Sequence, residues 1–103
     1  MYDAAHVAGM VAGGVWQHPL KEGAHVMTAS TCKSFGGPPG GIVITDDTEI
    51  ARGVDRAIFP GMTANFHTNR MAALMAAASD MLRFGSDYAK TCHANAKALA
   101  EAF

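Results

Sequence analysis

The chain has 103 residues, enough for one small domain with one core and no second domain. Half of the residues are hydrophobic and 17% are charged, a balance that points to a folded chain rather than a disordered one. The formal charge is -1 with the two signs mixed throughout, so there is no basic footprint for nucleic acid and no polybasic patch for anionic lipid. Small molecules and other protein chains remain as partners.

The two cysteines, Cys32 and Cys92, lack C-x-x-C spacing and do not form a disulfide framework, which fits a reducing compartment. Apolar stretches are broken by His, Gly or charge well short of the ~20 residues that span a bilayer. The N-terminus shows no basic region followed by an apolar one and a cleavage site, so the cytoplasm is the expected location.

In chain order, Met1-Tyr2-Asp3 reads as the end of a strand whose beginning is missing, which suggests a truncated chain or a gene fragment. In an open parallel sheet, side chains with functional roles sit just past the carboxyl ends of strands, where Asp3 falls. Val7, Met10 and Val11 share a face at helical spacing, and Gly13-Gly14 stop that short helix. The run from Ala24 to Ala29 is short and apolar, and reads as a buried strand with Val26 as its β-branched core residue. Gly41-Ile42-Val43-Ile44-Thr45 is the clearest strand, too apolar to be half exposed.

Asp46 to Glu49 has the form of a capping box with Asp46 as the cap, followed by a helix with the stripe Ile50, Val54, Ala57 and Ile58. Pro60-Gly61 end that helix, and Met62 to Phe66 form a loop. From Thr68 a helix shows Met71, Leu74, Met75, Ala78 and Leu82 on one face. Gly85 is expected to break it, with Ser86 or Asp87 capping a last helix through Tyr88, Cys92, Ala96, Leu99 and Phe103. The methionines on these faces read as core filler. Two or three strands with covering helices make an α/β arrangement that is thin for a freestanding domain.

The chemistry concentrates in Met27 to Gly41, M-T-A-S-T-C-K-S-F-G-G-P-P-G-G, where Lys33 lies between a hydroxyl-rich run and a glycine-proline loop. A lysine is a covalent catalyst when its amine is neutral and close to a carbonyl, and small neighbours permit that approach. Upstream, Asp3-Ala4-Ala5-His6 offers a carboxylate and an imidazole that read as buried. Asp3 read alone is an ordinary strand-end or helix-cap aspartate, and only the Lys33 context favours a functional role. His6 alone is equally a helix-start histidine, and Ser30 a residue that satisfies strand-end backbone. His18, His25, His67 and His93 lack metal-site spacing, so no metal is expected. The paired glycines lack the G-x-G-x-x-G pattern of a phosphate-binding turn, and read as positions where backbone passes close to a cofactor or a neighbouring subunit.

Taken together, D-A-A-H followed by T-A-S-T-C-K-S-F-G-G-P-P-G-G resembles the serine hydroxymethyltransferases, pyridoxal-phosphate enzymes of the aspartate-aminotransferase fold. That family carries D-x-A-H and then T-T-T-T-H-K-T-L-x-G-P-R-G-G at about this separation. Phe59-Pro60-Gly61 and the closing Asn95 to Phe103 extend the resemblance over nearly the whole chain. It implies that residues 1–103 are a central, incomplete piece of the pyridoxal-phosphate-binding large domain. By the same resemblance Lys33 holds the cofactor aldehyde, Asp3 holds the pyridine nitrogen protonated, His6 lies beside the cofactor, and Ser30 stands where a threonine assists exchange at the lysine.

The activity implied is reversible hydroxymethyl transfer between serine, or an α-substituted serine, and tetrahydrofolate, in a homo-oligomer such as a dimer. A folate-independent aldolase of the same fold and a non-catalytic fragment or docking subunit are the alternatives. Cys32 replaces the family's usual histidine, Pro39 its usual arginine, and Met62 to Asn65 a glycine-rich loop. The main phosphate-binding loop, the ring-stacking residue, the folate contacts and the substrate-carboxylate arginine are not located in this stretch. The chain alone is therefore expected to be inactive and to bind the cofactor weakly or not at all.

Overall fold

The computed structural model describes all 103 residues. In chain order they form β1 (Tyr2–Asp3), α1 (Ala8–Ala12), β2 (Met27–Ser30), β3 (Gly41–Ile44), α2 (Thr48–Arg56), a wide π-helical turn (Ala57–Met62) and α3 (Thr68–Ala102). The sheet order is β1-β2-β3. β1 lies parallel to β2, with Tyr2 opposite Met27 and Asp3 opposite Thr28, while β3 runs antiparallel to β2 from Met27–Ile44 to Ser30–Gly41. The α/β class and the count of two or three strands hold.

The second strand starts later than the sequence pattern indicates. Val26 precedes it and is half-buried, and the residues that face the core are Met27 and Ala29, two apart as strand geometry requires. They pack with Ala4 and Ala8, and Tyr2, Val7, Val11, Leu20, Phe35 and Ile42 close around them. The helix α1 therefore covers one face of the parallel pair.

The third strand departs from expectation in its burial. Gly41, Val43 and Ile44 are exposed and only Ile42 reaches the core, because β3 is an edge strand with little packed on its faces. Its apolar run carries the propensity of a buried strand, and burial depends on a covering layer that these residues do not supply.

The cap of α2 is Asp47 rather than Asp46: Asp47 Oδ1 accepts from the N–H of Glu49 at 2.8 Å and of Ile50 at 3.0 Å. The α-helix ends at Arg56 with Ala57 still helical in its backbone angles, and inside the wide turn Phe59 is extended (φ -131°, ψ 124°), as the residue before a proline prefers.

The largest correction concerns Gly85. The helix expected to break there runs unbroken for 35 residues, and Gly85 is buried inside it. Glycine costs a helix interior ~1 kcal/mol relative to alanine, which local context alone does not offset. Here the position faces α1: a Cβ on Gly13 would run into Ala89 Cβ and the Gly85 carbonyl, so the two helices meet where their side chains are smallest.

The buried face of α3 accordingly passes through Gly85 and Ala89, with Leu74, Ala77, Ala78 and Met81 half-buried beside it. Met71, Met75 and Leu82 are exposed, as are Leu99 and Phe103; of the two expected stripes Leu74, Ala78 and Cys92 are half-buried, and Tyr88 is partly exposed with its hydroxyl turned to the Ser34 carbonyl. Of the methionines, Met27 is core, whereas Met62, Met71 and Met75 are not.

Ten of 103 residues are buried and the radius of gyration is 15.3 Å, against about 13 Å for a compact domain of this size. The molecule is thus elongated around a small core, with apolar side chains of α3 and β3 such as Met75, Leu82, Leu99 and Val43 exposed.

Two stability measurements check this packing. Gly13→Ala overpacks the α1–α3 crossing and should cost ~1–3 kcal/mol in chemical denaturation, whereas Gly85→Ala meets chiefly the flexible Met81 side chain and should cost clearly less. Asp47→Ala should cost ~1 kcal/mol through the lost cap while Asp46→Ala stays near neutral, and the reverse order would contradict the capping geometry.

Candidate active site

The parallel pairing of β1 with β2 brings two strand ends to one edge of the sheet. β1 ends in Asp3, and the chain then turns through Ala4 to Val7 into α1. β2 ends in Ser30 and runs into the loop of Thr31 to Gly40 that carries Cys32, Lys33 and Ser34. Two short apolar strands thus deliver the D-A-A-H and Lys33 segments to the same place.

The result is a direct contact: Lys33 Nζ lies 3.2 Å from His6 Nε2. Both side chains are exposed, as is Asp3, so the carboxylate and imidazole expected to be buried stand on an open shelf. Only short elements surround this edge, and nothing in residues 1–103 packs over it. Asp3 Oδ1 accepts the N–H of Ala5 at 2.9 Å in a local turn, which leaves its second oxygen outside any protein hydrogen bond.

Ser30 does not hydrogen-bond Lys33; its Oγ pairs with Cys32 Sγ at 3.6 Å. The Cys32 thiol is held below its ordinary value chiefly by that Ser30 hydroxyl; desolvation opposes it, and backbone N–H groups and the Lys33 charge add smaller lowering effects. Cys32, read from the sequence as a departure from the family pattern, is therefore an exposed and acidified thiol beside Lys33.

Thr31 is almost fully buried and organises the loop. Its N–H donates to the Gly40 carbonyl at 2.9 Å, and its hydroxyl lies against the Gly40 and Pro38 carbonyls, which share one proton. Gly37 N–H returns to the Thr31 carbonyl at 2.6 Å and Gly36 N–H to the Lys33 carbonyl at 2.9 Å. Gly36 has φ +76°, a left-handed conformation that glycine adopts without strain. Gly37 lies against the Thr31 carbonyl and then Leu74 and Ala77 of α3, and Gly40 against the Arg70 guanidinium of α3.

Two residues that local sequence reasoning missed hold this loop from outside. Gly9 N–H donates to Ser34 Oγ at 3.0 Å, and a Cβ on Gly9 would collide with the Ser34 carbonyl. Tyr88 of α3 donates its hydroxyl to that same carbonyl at 3.1 Å across a separation of 54 residues. Burial, and then a hydrogen bond with Cys92, raise the Tyr88 phenol above its ordinary value. No sequence spacing signals such long-range contacts.

The main concavities lie elsewhere. One of about 260 Å³ is bounded by Phe35, Gly36 and the Ala77–Tyr88 stretch of α3, and one of about 410 Å³ by Ala12, Phe35 and the other flank of α3. Asp3, His6, Ser30 and Lys33 line none of the four principal ones. The weight of the site therefore rests on the cluster of reactive groups rather than on enclosure.

Comparison with known proteins places the chain. Over residues 1–103 it matches the family model described as serine hydroxymethyltransferase. It is 56% identical over 101 residues to a serine hydroxymethyltransferase of Archaeoglobus fulgidus, covering 98% of this chain and 23% of that protein. It is 53% identical over 102 residues to a serine hydroxymethyltransferase of Methanosphaera stadtmanae, covering 99% of this chain and 24% of that protein. Against an alpha-methylserine aldolase of Ralstonia sp. it is 47% identical over 102 residues, covering 99% of this chain and 23% of the relative. The chain thus spans about a quarter of the length of the curated relatives it matches, and it belongs to the serine hydroxymethyltransferase family.

Proposed function

We propose that residues 1–103 provide the lysine-bearing part of the large domain of an enzyme that uses pyridoxal phosphate to move a hydroxymethyl group between serine, or an α-substituted serine, and tetrahydrofolate. The observation that carries this reading is the 3.2 Å contact of Lys33 Nζ with His6 Nε2 beside the parallel strand end that bears Asp3. An amine, an imidazole and a carboxylate with an uncommitted oxygen form a donor set suited to an aromatic aldehyde with a ring nitrogen. Pyridoxal phosphate, when bound, supplies an electron sink for charge that develops on the amino acid.

The chain's own groups divide the work. Lys33 Nζ is the nucleophile, and it attacks only after losing a proton, for which His6 Nε2 lies within transfer distance. His6 also fixes one side of the bound ring. The Asp3 carboxylate holds a proton at the facing ring nitrogen by opposite-charge attraction. The Ser30 hydroxyl helps the lysine exchange partners, and its hydrogen bond to Cys32 means that it must turn from the thiol to do so.

The 23–25% share of the relatives supports the view that these residues act only with further parts of an enzyme and are inactive alone. Contacts for folate, the cofactor phosphate and the substrate carboxylate would come from those parts. The exposed apolar residues of α3 and β3 suit association with them and with a second subunit in a homodimer. No helix is long and apolar enough to cross a membrane, and we place the enzyme in the cytoplasm. The 47% identity to an alpha-methylserine aldolase favours, as a second reading, aldol cleavage of an α-substituted serine without folate.

Two experiments decide between these. Incubating the enzyme that carries these residues with pyridoxal phosphate, trapping with borohydride and mapping the peptides should place the label on Lys33; a label confined to other lysines defeats the proposal. Cleavage of serine and of α-methylserine should then be measured with and without tetrahydrofolate. Dependence on folate selects the transferase, and equal rates without it select the aldolase.

A further inference from the structure

We infer that Tyr88 is a positioning residue for Lys33, acting from α3 through the Ser34 carbonyl. The inference rests on the reading of Lys33 given above and extends it to a residue 55 positions away in the chain.

The peptide that follows Lys33 is gripped on both sides. Gly9 N–H of α1 donates to Ser34 Oγ at 3.0 Å, and the Tyr88 hydroxyl of α3 donates to the Ser34 carbonyl at 3.1 Å. Gly9 has no room for a Cβ because that carbonyl lies against it, so the peptide cannot drift towards α1. Tyr88 supplies the opposing restraint, and the crossing of α1 and α3 at Gly13, Gly85 and Ala89 sets the distance between the two grips.

Within the loop, Gly36 N–H bonded to the Lys33 carbonyl and Gly37 N–H bonded to the Thr31 carbonyl tie the backbone on either side of Lys33 to the gripped peptide. Freed from Tyr88, the loop loses its anchor to α3, its internal bonds, that of Gly36 N–H to the Lys33 carbonyl among them, open more often, and the contact of Lys33 Nζ with His6 Nε2 loosens.

The phenol ring lines the groove beside Phe35 and is 42% exposed, so Tyr88→Phe removes one oxygen and little packing. Two measurements on the full enzyme test the idea. In cofactor-free protein, hydrogen exchange at the Gly36 amide should speed up about fivefold in Tyr88→Phe, the ratio set by one ordinary hydrogen bond, while amides of α3 away from residue 88 keep their rates. After pyridoxal phosphate and borohydride, the share of label on Lys33 relative to Lys21 should fall by a similar factor.

Ser34→Ala, which loses the Gly9 contact, should act in the same direction, and Ser34→Thr, which keeps a hydroxyl, should return both readouts to wild type. Unchanged Gly36 exchange in Tyr88→Phe overturns the inference, as does acceleration spread along all of α3, which would mean general loosening. The wild-type label is scored first. Its absence from Lys33 counts against the proposed function, and Gly36 exchange alone then decides whether Tyr88 holds the loop.

Discussion

Two main-chain hydrogen bonds, from Tyr2 N–H to the Val26 carbonyl at 2.8 Å and from Ala4 N–H to the Thr28 carbonyl at 2.7 Å, pair β1 with β2 in parallel. Every other feature of the candidate site depends on that pairing. Parallel strands put their carboxyl ends on the same edge, so Asp3 with the following His6 arrives beside the loop that carries Lys33. An antiparallel pairing would send the two segments to opposite ends of the sheet. The core beneath is correspondingly simple, since Ala4 and Ala8 lie against Met27 and Ala29 and exclude water from the short ladder.

The size of those side chains has consequences further out. Alanine and glycine allow α1 to sit close to the sheet on one side and to α3 on the other, and close approach lets Gly9 and Tyr88 reach the same peptide of the Lys33 loop. What small residues do not provide is apolar area, so the core remains thin while Leu82, Met75, Leu99 and Phe103 stand in water. A chain of this kind has accurate local geometry but little covering layer, which agrees with its covering about a quarter of each relative.

Local chemistry at the lysine is richer than the pair with His6. Ser30, Cys32 and Lys33 form a short row in which the Ser30 hydroxyl engages the thiol and lowers its pKa with help from the lysine charge. The residue that departs from the family's usual histidine thus places an exposed thiol next to the Lys33 amine. An exposed, acidified thiol at this point has different reactivity towards electrophiles from an imidazole.

Much of this was legible in the residues. The order of the strands and of the first two helices followed from period and punctuation, and the D-A-A-H and T-C-K-S motifs, by their resemblance, pointed to Asp3, His6 and Lys33, of which His6 and Lys33 meet in the fold. Burial was not legible: Val43 and Ile44 have the composition of a covered strand, and coverage is decided by neighbours rather than by propensity. Gly85 is a helix breaker by intrinsic preference, and only contact with Gly13 shows why α3 continues through it. The grip of Tyr88 on Ser34 spans 54 residues, and the choice of Asp47 over its neighbour as a cap follows from the helix starting at Thr48, which puts the Asp47 carboxylate on the Glu49 and Ile50 amides. Sequence by itself determined the reactive groups and the periodicity of the elements, because both are properties of side chains along the chain. Tertiary structure alone decided which groups meet and which faces stay wet, because both depend on segments distant in sequence arriving at the same point.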